Sequence, residues 1–134
     1  MDPMLSPSQP LASQYEEYMR SQAAALSAWR DACHRCSAEH GFWDDPKPNL
    51  AEKVALIHSE ASELLEAFRK DPTADCGKQI SGKPIGLTLE EEEMADIMIR
   101  VFDLAAHRKI DIGRAVRLKY EYNLTRPHKH GKKF

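Results

Sequence analysis

Two acidic pairs constrain this chain more than any other feature: Glu60 with Glu63, and Glu93 with Asp96, each separated by two residues. Both pairs fall in stretches whose apolar residues recur at steps of three and four, the period of a helix, so each pair occupies adjoining turns of one face. On the second stretch, Leu89, Glu93, Asp96, Arg100 and Leu104 form one line, while Met94, Ile97, Met98, Ile99, Val101, Phe102 and Ala105 make the rest apolar almost all round. Such a helix is expected to be buried. A buried carboxylate without a partner costs several kcal/mol, and two on neighbouring turns repel each other as well. Lys53 and Arg100 supply two positive charges against four negative ones, so a divalent cation is the simpler source of balance. A solvated acidic face is the competing explanation. It accounts for Glu90 to Glu93 as helix capping, but less well for both pairs together.

The donor set indicates the kind of ion. Four carboxylates without a nearby His or Cys form an oxygen-only site suited to Mg²⁺ or Mn²⁺ and poor for Zn²⁺. Di-iron bundles use Glu-x-x-His, and here both pairs are acidic. Mg²⁺ usually completes its coordination with water and substrate phosphates, so a nucleotide is a natural ligand.

The rest of the chain reads as a single all-α domain of 134 residues, with residues 1–13 an N-terminal tail and 14–126 the folded part. Met19, Ala23, Leu26, Trp29, Cys33 and Cys36 mark a first helix from about Tyr15 to His40. GFWDDPKPN ends it, because glycine, proline and asparagine form turns. A second helix runs from about Leu50 to Arg69, capped by Asn49, with Val54, Ile57, Ala61, Leu64, Leu65 and Phe68 as its core stripe. Residues 71–86 lack periodicity and read as a long loop containing a lone Cys76. Thr88 caps a third helix to His107, and Asp111 caps a fourth to about Asn123, which Pro127 stops. A basic tail, 127–134, follows.

A net charge of −2 gives no global attraction to nucleic acid polymers or anionic membranes. The absence of a signal sequence or long apolar run, and three cysteines without a framework pattern, make the cytoplasm the expected compartment. Cys33 and Cys36 fall on the apolar stripe and read as core packing, not zinc ligation.

The segments SEASELLEAFR, EEEEMADIMIRVFDLA and KYEYNLTRPHKHGKKF, taken together, resemble the MazG-like members of the all-α NTP pyrophosphohydrolase superfamily, over roughly Trp29 to Phe134. The resemblance implies a four-helix bundle completed by oligomerisation as a homodimer or homotetramer, with metal ligands at Glu60, Glu63, Glu93 and Asp96. It implies Mg²⁺-dependent hydrolysis of a (d)NTP, with (d)GTP as the first guess, to the monophosphate and pyrophosphate, and Glu60 or Glu63 orienting the attacking water. Ser59 stands where the family often has another acidic residue, which leaves the number of ions and the general base open.

Lys119, Asn123 and Arg126 step by four and three along the last helix and its exit, which suits phosphate binding, and the family carries the same pattern there. The alternative is solvated surface charge. Lys53 either meets a phosphate or pairs with Glu60. Trp43 either stacks on a base, as the resemblance suggests, or packs on a helix end. The basic tail either folds over the triphosphate or stays apart from it. The other function class compatible with these residues is a non-catalytic helical nucleotide-binding or regulatory module.

Overall fold

A computed structural model of the chain describes residues 12–79 and 86–133. Its elements are α1 (Ala12–Glu39), α2 (Leu50–Arg69), α3 (Cys76–Gln79), α4 (Leu89–His107) and α5 (Ile112–Leu124), followed by a 3₁₀ turn over His128–Gly131. The fold is all-α. Among the described residues the β pairing is one antiparallel bridge between Asp75 and Thr88. No helix there is long and apolar enough to cross a membrane. Of the expected N-terminal tail, residues 1–11 lie outside the described residues, while Ala12 and Ser13 already belong to α1.

The helix starts follow the capping chemistry. The Asn49 side chain accepts from the backbone N–H groups of Ala51 at 3.1 Å and Glu52 at 3.3 Å. Thr88 and Glu91 form a reciprocal capping box, with Glu91 N–H donating to Thr88 Oγ1 at 3.3 Å and Thr88 N–H donating to Glu91 Oε2 at 2.8 Å. Asp111 Oδ1 accepts from Arg114 N–H at 3.0 Å and from Ser27 Oγ at 3.2 Å, which ties the start of α5 to α1.

Helix α4 packs against both α2 and α1, and α5 packs on α1. At the α1–α5 crossing a Cβ on Gly113 would stand 1.9 Å from the carbonyl oxygen of Ala23, so the two backbones touch where only glycine fits.

The described residues just after α2, 71–79, are more regular than their composition suggests. Cys76 N–H donates to Leu87 O at 3.0 Å, Leu89 N–H to Ala74 O at 2.9 Å and Glu90 N–H to Pro72 O at 3.1 Å, fastening residues 72–76 to the start of α4. Cys76, read as a loop cysteine, is fully buried inside this clasp. Residues 80–85 of the expected loop lie outside the described residues.

The core stripe expected on α2 is corrected. Val54, Leu65 and Phe68 are 44%, 51% and 51% exposed, whereas Glu60 and Ala67 are buried. Helix α2 therefore meets α4 about a quarter-turn away from its most apolar line, on the face that carries the carboxylates. On α4, Met94 and Met98 are likewise about half exposed, and only Phe102 and Ala105 of its apolar residues are buried. The interior of one chain is small, and much of the apolar surface that the periodicity assigns to a core stands outside it.

Candidate metal centre and adjoining cavity

Glu60 reaches the α2–α4 interface because it shares a face with Leu56 and Ala67, and it is only 5% exposed. Glu93 and Asp96 arrive from α4 on adjoining turns. Each of the three offers a carboxylate oxygen within 4.8 Å of the other two. Glu63 is exposed and does not join this group, although its charge is felt there. Burial, and then the carboxylates of Glu63, Glu92, Asp96 and Glu60, push Glu93 up to about 7.

Two details bear on whether an ion suits this arrangement. Glu93 Oε2 is buried without a hydrogen-bond partner, a situation that costs about 1–3 kcal/mol for a polar atom and more for a charged one. The donors are all hard oxygens within 4.8 Å of one another, the ligand chemistry that suits Mg²⁺ or Mn²⁺. The three residues fit a divalent cation.

Arg100 Nε donates to Glu60 Oε1 in a close ion pair. Periodicity places Arg100 in line with Glu93 and Asp96, but gives no sign of which carboxylate it chooses. Lys53, the other candidate for Glu60, instead donates from Nζ to Phe42 O at 2.9 Å and stands 4.3 Å from the centre of the Trp43 ring. Glu92 is buried at 8% exposure, which its place in a capping run concealed.

Beside the carboxylates lies a cavity of about 580 Å³ between α1, α2, α4 and the loop after α1. Glu60, Asp96 and Arg100 line one part, and Trp29, Phe42, Trp43, Leu56 and Leu104 line a largely apolar remainder. That volume lies within the range of small-molecule sites. Trp29 and Phe42, which the sequence gives no reason to single out as ligand contacts, are 64% and 66% exposed there.

Trp43 is packed and anchored while still lining the cavity. Its Nε1 donates to Asp103 Oδ1 at 2.8 Å, and His34 Nδ1 approaches the same oxygen at 2.7 Å. The His107 ring stacks on the indole at 4.1 Å with 14° between planes. Asp103 thus holds α1, the loop and α4 to one another through a single oxygen.

The α5 residues are elsewhere. Lys119 Nζ lies 4.7 Å and the Arg126 guanidinium 5.8 Å from the centre of the Tyr122 ring, which gathers both cations around one aromatic ring. Asn123 Oδ1 is buried without a hydrogen-bond partner. None of the three lines the cavity among the described residues. His128–Gly131 forms an exposed turn. Cys33 and Cys36 also line the cavity, and burial with the nearby Asp103 charge pushes the Cys33 thiol up, as suits an inert packing residue. Cys36 is exposed, so only Cys33 partly fits the core role read from the stripe.

No protein-family model, curated protein or solved structure matches this chain.

Proposed function

We propose that this protein is a divalent-cation-dependent nucleoside triphosphate pyrophosphohydrolase of the MazG-like type. The observation that carries this reading is the convergence of Glu60, Glu93 and Asp96 within 4.8 Å, with Glu93 Oε2 buried and unpartnered, beside a cavity with aromatic walls. Hard, charge-dense carboxylates next to an apolar, aromatic space suit a ligand with a polyphosphate at one end and a flat ring at the other.

Glu60, Glu93 and Asp96 would hold Mg²⁺ or Mn²⁺. A bound ion of this kind supplies charge neutralisation for phosphate oxygens and a lowered pKa for a bound water. Glu63 lies outside the three but close enough to raise the Glu93 pKa, which makes it the carboxylate we assign to orienting the attacking water and taking its proton. Trp43, fixed by Asp103 and His107, would present its edge to the base side of the cavity, and Lys53 would reach a phosphate by leaving the Phe42 carbonyl. Lys119, Asn123 and Arg126 would contact phosphate only where bundle assembly brings α5 to a carboxylate cluster.

The same proposal includes assembly. Leu65 and Phe68 on α2 and Met94 and Met98 on α4 are each about half exposed on lines that read as core. A second copy of the chain would cover them, giving a homodimer or a dimer of dimers.

Purified protein with Mg²⁺ or Mn²⁺, assayed against the eight common ribo- and deoxyribonucleoside triphosphates with separate detection of phosphate and pyrophosphate, is expected to release pyrophosphate and the monophosphate. The panel begins with dGTP and GTP. Release of orthophosphate instead would move the attacked phosphorus, and no release from any nucleotide would favour the non-catalytic module. Light scattering during size exclusion should give a mass at least twice the 15.2 kDa of one chain. A monomer at micromolar concentration would remove the assembly part.

A further inference from the structure

The ion pair between Arg100 and Glu60 carries a consequence for how the site loads. Glu60 is held in the interface between α2 and α4, its side chain 7% exposed, so its charge needs a cation close by. Arg100 supplies that cation through Nε. Yet Glu60 also contributes one of the three oxygens that lie within 4.8 Å of each other. A divalent ion bound by those oxygens would stand a few ångströms from the guanidinium, and the two positive charges would repel at short range in a partly desolvated site.

The two sides of the pair differ in their freedom to respond. Glu60 is enclosed, whereas the Arg100 side chain is 38% exposed and lines the cavity. Its long stem can turn without any helix moving. Asp103 lies near on α4, but its Oδ1 already takes Trp43 Nε1 and His34 Nδ1, and Lys53 on α2 is engaged with Phe42 O. A polyphosphate in the cavity offers the guanidinium what it loses at Glu60, since the planar fork matches phosphate oxygens in bidentate geometry.

We propose that Arg100 is an exchangeable counter-cation: it neutralises Glu60 in the metal-free protein and, when a divalent ion takes the carboxylates, turns into the cavity to hold a nucleotide phosphate. This rests on the metal reading given above. It adds a phosphate-binding residue on α4 whose partner changes with the state of the site. Metal binding and phosphate binding are then coupled, because the first liberates the group that serves the second.

The test follows the Arg100 Nε–H resonance in ¹⁵N-labelled full-length protein, identified by its absence in Arg100→Lys or, should that variant fold poorly, by through-bond correlation in the wild type. In chelator-treated protein the signal is expected to be sharp and slow to exchange with water. Mg²⁺ should broaden it, and Mg²⁺ with an α,β-methylene triphosphate analogue should restore it at a new position. Arg100→Lys and Arg100→Gln should bind Mn²⁺, followed by its paramagnetic signal, at least as tightly as the wild type, and the analogue about tenfold more weakly. If the Nε–H stays in place while Mg²⁺ moves the backbone amides of Glu93 and Asp96, Arg100 is a fixed prop and the exchange is overturned with the metal site intact. Weaker Mn²⁺ binding in both variants would overturn it as well. If Mg²⁺ moves none of these signals, the metal reading fails and takes the exchange with it.

Discussion

Asp96→Asn is expected to lower metal-dependent pyrophosphate release by on the order of 10²–10³-fold while leaving the fold in place. The change nearly preserves shape but removes one of the three charged oxygens that converge within 4.8 Å. It also removes a like charge that helps to push Glu93 upward. What it should lose is the rise in melting temperature on adding Mg²⁺, because an ion that binds only the folded state stabilises by mass action. Differential scanning fluorimetry with and without Mg²⁺, alongside the pyrophosphate assay, reads both effects. Full activity with unchanged metal dependence would place the site elsewhere. Glu63→Gln serves as the contrast: it should lower turnover while keeping Mn²⁺ affinity, since Glu63 is exposed and outside the converging oxygens.

The contrast between Asp96 and Glu63 shows where sequence reasoning reaches its limit. Spacing places Glu60 beside Glu63 and Glu93 beside Asp96 because helical geometry is local. It does not say how far each helix is rotated toward its neighbour, and that rotation decides which carboxylates converge. The caps at Asn49, Thr88 and Asp111 were legible for the same local reason, and each helix begins within a residue or so of its cap. The α2 stripe misled because apolar periodicity reports a surface to be covered without saying by what. Val54, Leu65 and Phe68 are about half exposed in one chain, and the helix buries Glu60 and Ala67 instead, leaving Glu63 exposed. Cys76 and its clasp onto Leu87 were invisible, since a segment held by backbone hydrogen bonds leaves no periodic signal. The Trp43–Asp103–His34 junction joins residues up to 69 positions apart, a separation that no motif of this chain encodes.

Raising the pH of chelator-treated protein from about 5 to 8 is expected to lower its stability by about 1–2 kcal/mol, allowing for water around a carboxyl that is not fully enclosed. The sign follows from Glu93. Its folded-state value is raised from 4.5 to about 7, so between those limits the folded protein holds a proton that the unfolded chain has lost. Stability therefore falls as pH rises through this window and levels off above it. Asp31 and Asp111 are held below the usual carboxylate range by Arg30 and by the Arg114 backbone N–H, and their contribution is lost only at more acid pH. Glu93→Gln should flatten the decline, which thermal melts at fixed ionic strength would measure. An unchanged slope in that variant would mean that another group titrates. The same proton must leave when an ion binds, so Mn²⁺ affinity should climb by up to about tenfold per pH unit as pH approaches 7 and then plateau. Affinity that is flat between pH 5.5 and 7.5 would show that Glu93 is not a ligand, whatever the fate of Glu60 and Asp96.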